Sequence, residues 1–121
     1  MKKLKVTTHI GHFQPDSERN LFITIKNEDK VSIHIEQVFI KDGRNVPVKI
    51  MQPYRPTPFL LKPGYTWETW ISTYDTPKRL EDLYDQAYVH ARAKDRKRVH
   101  IYRSEKDQHV SPYGAIPNGT W

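Results

Sequence analysis

Apolar and polar positions alternate with a period of two through most of this chain, a pattern that sends side chains to opposite faces of β-strands. In "NLFITIKN", Leu21, Ile23 and Ile25 share one face, and Phe22, Thr24 and Lys26 share the other. A four-residue polar turn, Asn27 to Lys30, separates this strand from "VSIHIEQVFIK". There Val31, Ile33 and Ile35 point inward, and the phase then shifts to Val38 and Ile40. Two residues, Glu36 and Gln37, stand where alternation allows one, which predicts a β-bulge.

Shorter signals fill the remainder. "KLKVT" reads as a brief first strand, followed by the polar loop "GHFQPDSER". After the Asp42-Gly43 turn, "VPVKIM" is a short strand that Pro47 assigns to a sheet edge, and "QPYRPTP" is a stiff connector. Pro63-Gly64 turns into a strand with Tyr65, Trp67, Thr69 and Ile71 on one face and Thr66, Glu68, Trp70 and Ser72 on the other. Thr76 as N-cap, Pro77 at the first helical position, and Leu80, Leu83 and Tyr84 beyond predict one or two helical turns. "YVHARAKDRKRVHIY" then forms a hairpin, and "SEKDQHVSPYGAIPNGTW" closes the chain without periodicity.

About seven short strands, with turns at intervals near ten residues and one short helix before the penultimate strand, predict an all-β antiparallel sandwich. "LFITIKNEDKVSIHIEQVFI" followed by "PFLLKPGYTWETWI" resembles small immunoglobulin-like domains of uncharacterised bacterial and phage proteins. Their pattern is strand, asparagine-containing turn, strand, then a phenylalanine–leucine–proline–glycine turn into the next strand. The resemblance spans roughly residues 20–104 and implies an architecture without an activity. The antibody-type disulfide and corner tyrosine are absent, since Ala91 and Val89 stand at those places. The expected organisation is a sandwich over residues 1–104 and an irregular tail over 105–121.

Composition narrows the function classes. A chain of 121 residues, 36% of them hydrophobic, supports one modest core. With no cysteine there are no disulfides, thiolate catalysis or cysteine-bound zinc. No segment is apolar enough to span a bilayer or act as a secretory signal, so a cytoplasmic protein with no membrane partner is expected. The net charge of +6 is concentrated locally. Arg92, Lys94, Arg96, Lys97, Arg98, Arg103 and Lys106 face only Asp95 and Glu105 within that stretch, a local excess of five. Such a patch attracts acidic protein or nucleic acid, and it also suits a hairpin tip that keeps the molecule soluble.

The hairpin is nearly a palindrome. Centred on Asp95, it would pair Tyr88 with Tyr102, His90 with His100 and Arg92 with Arg98 on one outer face, with Val89, Ala91, Val99 and Ile101 inward. Opposed arginines invite a bridging anion, and opposed tyrosines offer stacking faces for bases. Two histidines with a nearby arginine are what metal-independent RNA cleavage requires, which makes His90 and His100 candidate catalytic residues. Two imidazoles without a third ligand make a poor metal site, and neither a metal nor a cofactor is expected. A second surface is expected where Phe22 and Trp70 point away from the core on the other sheet, with Trp121 of the tail as a further aromatic contact.

Three readings follow from these features. The first is a non-enzymatic protein-interaction module that uses Arg92, Lys94, Arg96, Lys97, Arg98, Tyr88 and Tyr102 against an acidic protein partner. It would use Phe22, Trp70 and Trp121 as an aromatic interface. The second is nucleic-acid binding through the arginine, histidine and tyrosine face. The third is a histidine-dependent ribonuclease. Oligomeric state is not legible.

Overall fold

The computed structural model of the protein describes residues 4–12, 19–41, 47–49, 57–72 and 79–107. Nine strands lie among them: β1 Leu4–His12, β2 Arg19–Asn27, β3 Ile33–Lys41, β4 Pro47–Lys49, β5 Phe59–Leu61, β6 Thr66–Ser72, β7 Ala87–Ala93, β8 His100–Arg103 and β9 Glu105–Lys106. The strands form two sheets, ordered β6-β2-β1-β9 and β4-β3-β7-β8, with β5 also pairing with β3. All pairings are antiparallel except β1 with β9. The fold is all-β and sandwich-like, and no helix among the described residues is long and apolar enough to cross a membrane.

The alternation of each central strand supplies its half of the core. Leu4, Val6, Leu21, Ile23, Ile25, Trp67 and Ile71 come from the first sheet, and Ile33, Ile35, Val38, Ile40, Val89 and Ala91 from the second. In the two central pairings β2 lies against β6, and β3 against β7. The bulge falls where the phase shift placed it, with the β3–β7 register slipping between Ile35 and Gln37. β4 occupies the sheet edge that Pro47 requires.

Asn27 couples the turns at one end of the sandwich. It is fully buried. Its Nδ2 donates to the carbonyls of Val31 and Leu61, each at 2.9 Å, and its Oδ1 accepts from the Asp29 N–H at 2.8 Å. Its own carbonyl accepts from Gly64 N–H at 2.9 Å. Gly64, at φ 78°, is the third residue of the turn closed by Tyr65 N–H to Lys62 O at 3.1 Å, where a left-handed residue after proline is needed. The asparagine-containing turn and the proline–glycine turn are therefore parts of one hydrogen-bonded assembly.

Several expectations are corrected. Where one or two helical turns were predicted, the described residues hold a single 3₁₀ turn, Leu80–Asp82, whose Leu80, with Leu83 just beyond, plugs the core. Thr76 and Pro77 lie outside the described residues. β1 runs on to His12, covering the first two residues of the segment read as loop. Strand pairing also continues past residue 104, because Glu105–Lys106 crosses to the first sheet and pairs with β1.

Candidate functional site: an arginine-lined groove beside β8

Ser104 sets the geometry of the β7–β8 hairpin. Its N–H donates to the Ala87 carbonyl at 2.8 Å, and its Oγ accepts from the Ala87 N–H at 3.1 Å. The same Oγ donates to the Tyr84 carbonyl at 2.6 Å, an oxygen that also accepts from Thr8 Oγ1 at 3.0 Å. These contacts hold the point where the chain leaves one sheet for the other, and they pin the hairpin from its open end. At the other end β7 stops at Ala93, and Arg96 N–H donates to the Ala93 carbonyl at 3.0 Å.

The turn is thus offset from the palindrome's centre, and the predicted rungs do not form. Tyr88 pairs with Arg103, Val89 with Tyr102, His90 with Ile101 and Ala91 with His100. This one-residue shift exchanges the faces of β8. Tyr102 packs against the core, while Ile101 and Val99, expected inside, are 62% and 44% exposed. His100 takes an inward phase yet remains exposed, because it sits at the open end of the sandwich. His90 stays on the outer face, edge-on to the Phe39 ring with centroids 4.7 Å apart. The two histidines consequently project to opposite faces, and the pair needed for ribonuclease chemistry is not assembled. His34 on β3 lies opposite Arg92. Among the described residues there is no group of three or more histidine, aspartate or glutamate side chains arranged to hold a metal.

The arginines divide into two kinds. Arg92 does not face Arg98; its Nε donates to Glu36 Oε1 at 2.5 Å, across the bulge that displaces Glu36 from the ladder. Its Nη1 reaches the carbonyls of Arg96 and Lys94 at 3.2 and 3.5 Å, tying down the turn. Arg103 is similarly engaged, donating to the Asp85 carbonyl at 2.7 Å and its Oδ2 at 2.8 Å. Lys94, Arg96, Lys97 and Arg98 are exposed and make no ion pair among the described residues.

A groove of about 550 Å³ opens here. Its charged lining is Arg92, Arg96, Arg98 and Arg103 against Asp29, with His100 beside them; Ile33, Ala93, Ile101 and Tyr102 complete it. The sequence pattern places Arg92 and Arg98 on an open sheet face and the rest of this charge at the hairpin tip. The concavity depends on Asp29 and Ile33 approaching β8 from elsewhere in the chain, a long-range contact with no periodic signal.

Neither tyrosine offers the stacking face expected of it. Tyr88 lies stacked on Phe39 at 5.7 Å, and Lys41 Nζ sits 4.5 Å from its ring centroid. Tyr102 is partly buried, which raises its pKa above the usual phenol value.

The second predicted surface is also changed. Phe22 and Trp70 are direct cross-strand partners on the outer face of the first sheet, as expected. Phe22, however, is fully buried, stacked at 5.0 Å on the ring of His9, its partner on β1. It is therefore not part of an exposed aromatic face, and Trp70 is only half-exposed. Trp121 lies outside the described residues. On the same face sits Glu68, whose Oε2 accepts from Thr24 Oγ1 at 2.7 Å. Burial, reinforced by the charge of Asp107 and opposed by that hydrogen bond, pushes its pKa up to about 7. Burial also lowers the pKa of His9, against the pull of Asp107.

No family model and no curated protein matches the chain. The X-ray structure of Northeast Structural Genomics Consortium target SoR45 is similar over 88% of this chain and 88% of its own, at 14% identity and a TM-score of 0.39, a likeness too loose to carry an argument.

Proposed function

We propose that this protein is an immunoglobulin-like, non-enzymatic binding module that holds an acidic segment of a protein partner in the arginine groove beside β8. The strand orders support the immunoglobulin-like reading. β6-β2-β1 corresponds to strands E, B and A, and β4-β3-β7-β8 to C′, C, F and G. The functional reading is carried by one observation: the groove is lined by four arginines and a single aspartate, and Arg96 and Arg98 among them have no carboxylate partner among the described residues. Unpaired guanidinium groups at the rim of a concavity favour carboxylates, which they can grip through two parallel hydrogen bonds.

A protein segment fits this groove better than a nucleic acid does. Ile33, Ala93 and Ile101 give it an apolar component suited to side chains. The ring of Tyr88, which a single strand would use for stacking, is already engaged by Phe39 and Lys41, and that of Tyr102 is partly buried against the core. Steering by the local positive field would speed the encounter and make binding salt-sensitive.

Fluorescence anisotropy with a labelled glutamate-rich peptide, and with a single-stranded oligonucleotide of equal charge, tests this over a salt series. The peptide is expected to bind at low salt and to weaken as salt rises. In the Arg96→Ala/Arg98→Ala double variant binding should fall roughly tenfold or more, on the scale of two charge-assisted contacts. Absence of peptide binding at low salt, or equal binding by the double variant, contradicts the proposal.

A further inference from the structure

We propose that a second copy of this chain pairs with it through β6, edge to edge and antiparallel, joining the first sheets of both copies into one. This contact is independent of the arginine groove. β6 ends its sheet in the order β6-β2-β1-β9, and among the described residues no strand pairs with its other side. A sheet edge is a template for a further strand, and natural edges are blunted by shortness, proline, charged side chains or bulges. The other edges here are blunted in these ways. β4 and β5 have three residues each, and β4 opens on Pro47. β9 has two residues, both charged, and β8 has four, ending on Arg103. By contrast β6, "TWETWIS", has seven residues, an unbroken register against β2, and no proline, lysine or arginine. Its one charged side chain does not guard the edge. Glu68 reaches back to β2, where its Oε2 accepts from Thr24 Oγ1 at 2.7 Å, and burial lifts its pKa to about 7.

The backbone phase of β6 suits an added strand. In an antiparallel ladder, residues hydrogen-bonded to the neighbouring strand alternate with residues whose N–H and C=O turn away. The Asn27 N–H to Tyr65 O bond at 3.0 Å fixes that phase. Trp67, Thr69 and Ile71 accordingly direct their backbone groups to β2, while Thr66 and Glu68 direct theirs to the open side. The far side of the sheet agrees. Thr8, opposite Ile23, gives its carbonyl to the Asp107 N–H at 2.8 Å, which leaves Ile23 to bond Thr69 of β6.

A second copy meets this phase through symmetry. When a strand pairs with itself about a two-fold axis and the outward-turned residues meet, even positions oppose even and odd oppose odd. Trp67, Thr69 and Ile71 then line the core side of both copies, and Thr66, Glu68 and Trp70 the outer side. Threonine, tryptophan and isoleucine are side chains that pair well across strands. The edge has no basic side chain to repel its copy and no charge pattern that calls for a partner of different chemistry. The contact is isologous and uses both β6 edges, so assembly stops at two copies. β8 is the edge of the other sheet, so the arginine groove of each copy stays open.

Sedimentation equilibrium of the intact protein from about 1 μM to about 1 mM gives the first readout, with a dimer expected to grow in across that range. Amide hydrogen exchange at the two ends of the range gives the second. The Thr66 and Glu68 amides should slow at least about threefold on concentration, while Trp67, Thr69 and Ile71 are protected at both ends. Thr66→Pro removes the outward donor at the first residue of an edge strand, a place where proline is tolerated. Symmetry deletes that bond twice, so the dissociation constant of the dimer should rise roughly tenfold. Should the variant fail to fold, the exchange pattern of the unaltered protein decides.

A monomer throughout the range overturns the proposal. So does a dimer whose Thr66 and Glu68 amides exchange as fast as in the monomer, or one that a folded Thr66→Pro leaves unchanged, since either result places the contact elsewhere. Assemblies that grow beyond two copies overturn the closed pairing.

Discussion

Replacing Asn27 with alanine tests how the end of the sandwich beside the groove is held. The substitution deletes two donated hydrogen bonds, to Val31 and Leu61, and one accepted from Asp29. These losses are unequal. The Leu61 carbonyl is bonded within a fully buried contact, so its orphaning costs about 1–3 kcal/mol. The bonds to Val31 and Asp29 are partly accessible, and water replaces them at about 0.5 kcal/mol each. The expected destabilisation is therefore about 2–4 kcal/mol.

Urea unfolding followed by tryptophan fluorescence should show it as a midpoint lowered by roughly 1–2 M at an unchanged slope, given slopes of about 1–3 kcal/mol/M for domains of this class. Asn27→Asp should be at least as damaging, since it sets a carboxylate oxygen against two carbonyls. A loss below about 0.5 kcal/mol for Asn27→Ala would refute the reasoning, because it would mean these turns hold together without the buried amide.

Two further outcomes follow from charged groups. Burial raises the folded-state pKa of Glu68 to about 7, above its ordinary value of 4.5. The folded state therefore binds the proton more tightly, and the stability from protonated Glu68 is fully present below pH 4.5 and lost as pH rises towards 7. Allowing for solvent access to a group that is not fully enclosed, the effect is about 1–2 kcal/mol. Glu68→Gln should flatten that part of the stability-versus-pH curve and raise stability at pH 8; an unchanged curve would contradict it. His9 acts in the opposite sense, its lowered pKa costing stability as pH falls below 6.5. For the pair across the bulge, whose side chains are 31% and 30% exposed, a double-mutant cycle of Glu36→Gln and Arg92→Met should give a coupling of about 0.5–1.5 kcal/mol. A coupling near zero would mean that Arg92 is free for a ligand after all.

The strands and the bulge were legible because each is a local pattern. Alternation places the inward faces of β2, β3 and β6 correctly, but Val31 and Tyr65, read as inward, lie just ahead of β3 and β6 and are exposed; the doubled polar pair Glu36-Gln37 marks the slip. The hairpin was misread for a physical reason. A palindrome has its own centre of symmetry, but the pairing is set by Ser104 and Ala87 at the far end, a bond between an uncharacteristic polar residue and a strand terminus. One residue of offset was enough to separate the histidines and turn Tyr102 towards the core, while Tyr88 is engaged by Phe39 and Lys41 of β3. The split among the arginines was equally hidden. Glu36 reaches Arg92 only because β3 and β7, 56 positions apart at this contact, lie side by side. The basic charge itself was plain in the sequence; which part of it remains unpaired belongs to the tertiary structure.

The central claim is that Arg96 and Arg98, which make no ion pair among the described residues, and the groove beside β8 form one binding site. Titration of the labelled protein with an acidic peptide, read by backbone amide chemical shifts, tests it most directly. The account predicts perturbations concentrated at Ala93, Arg96, Arg98, Ile101 and Arg103, which line the groove. Perturbations centred instead on Phe22, Glu68 and Trp70, or spread evenly over every exposed lysine and arginine, would contradict it.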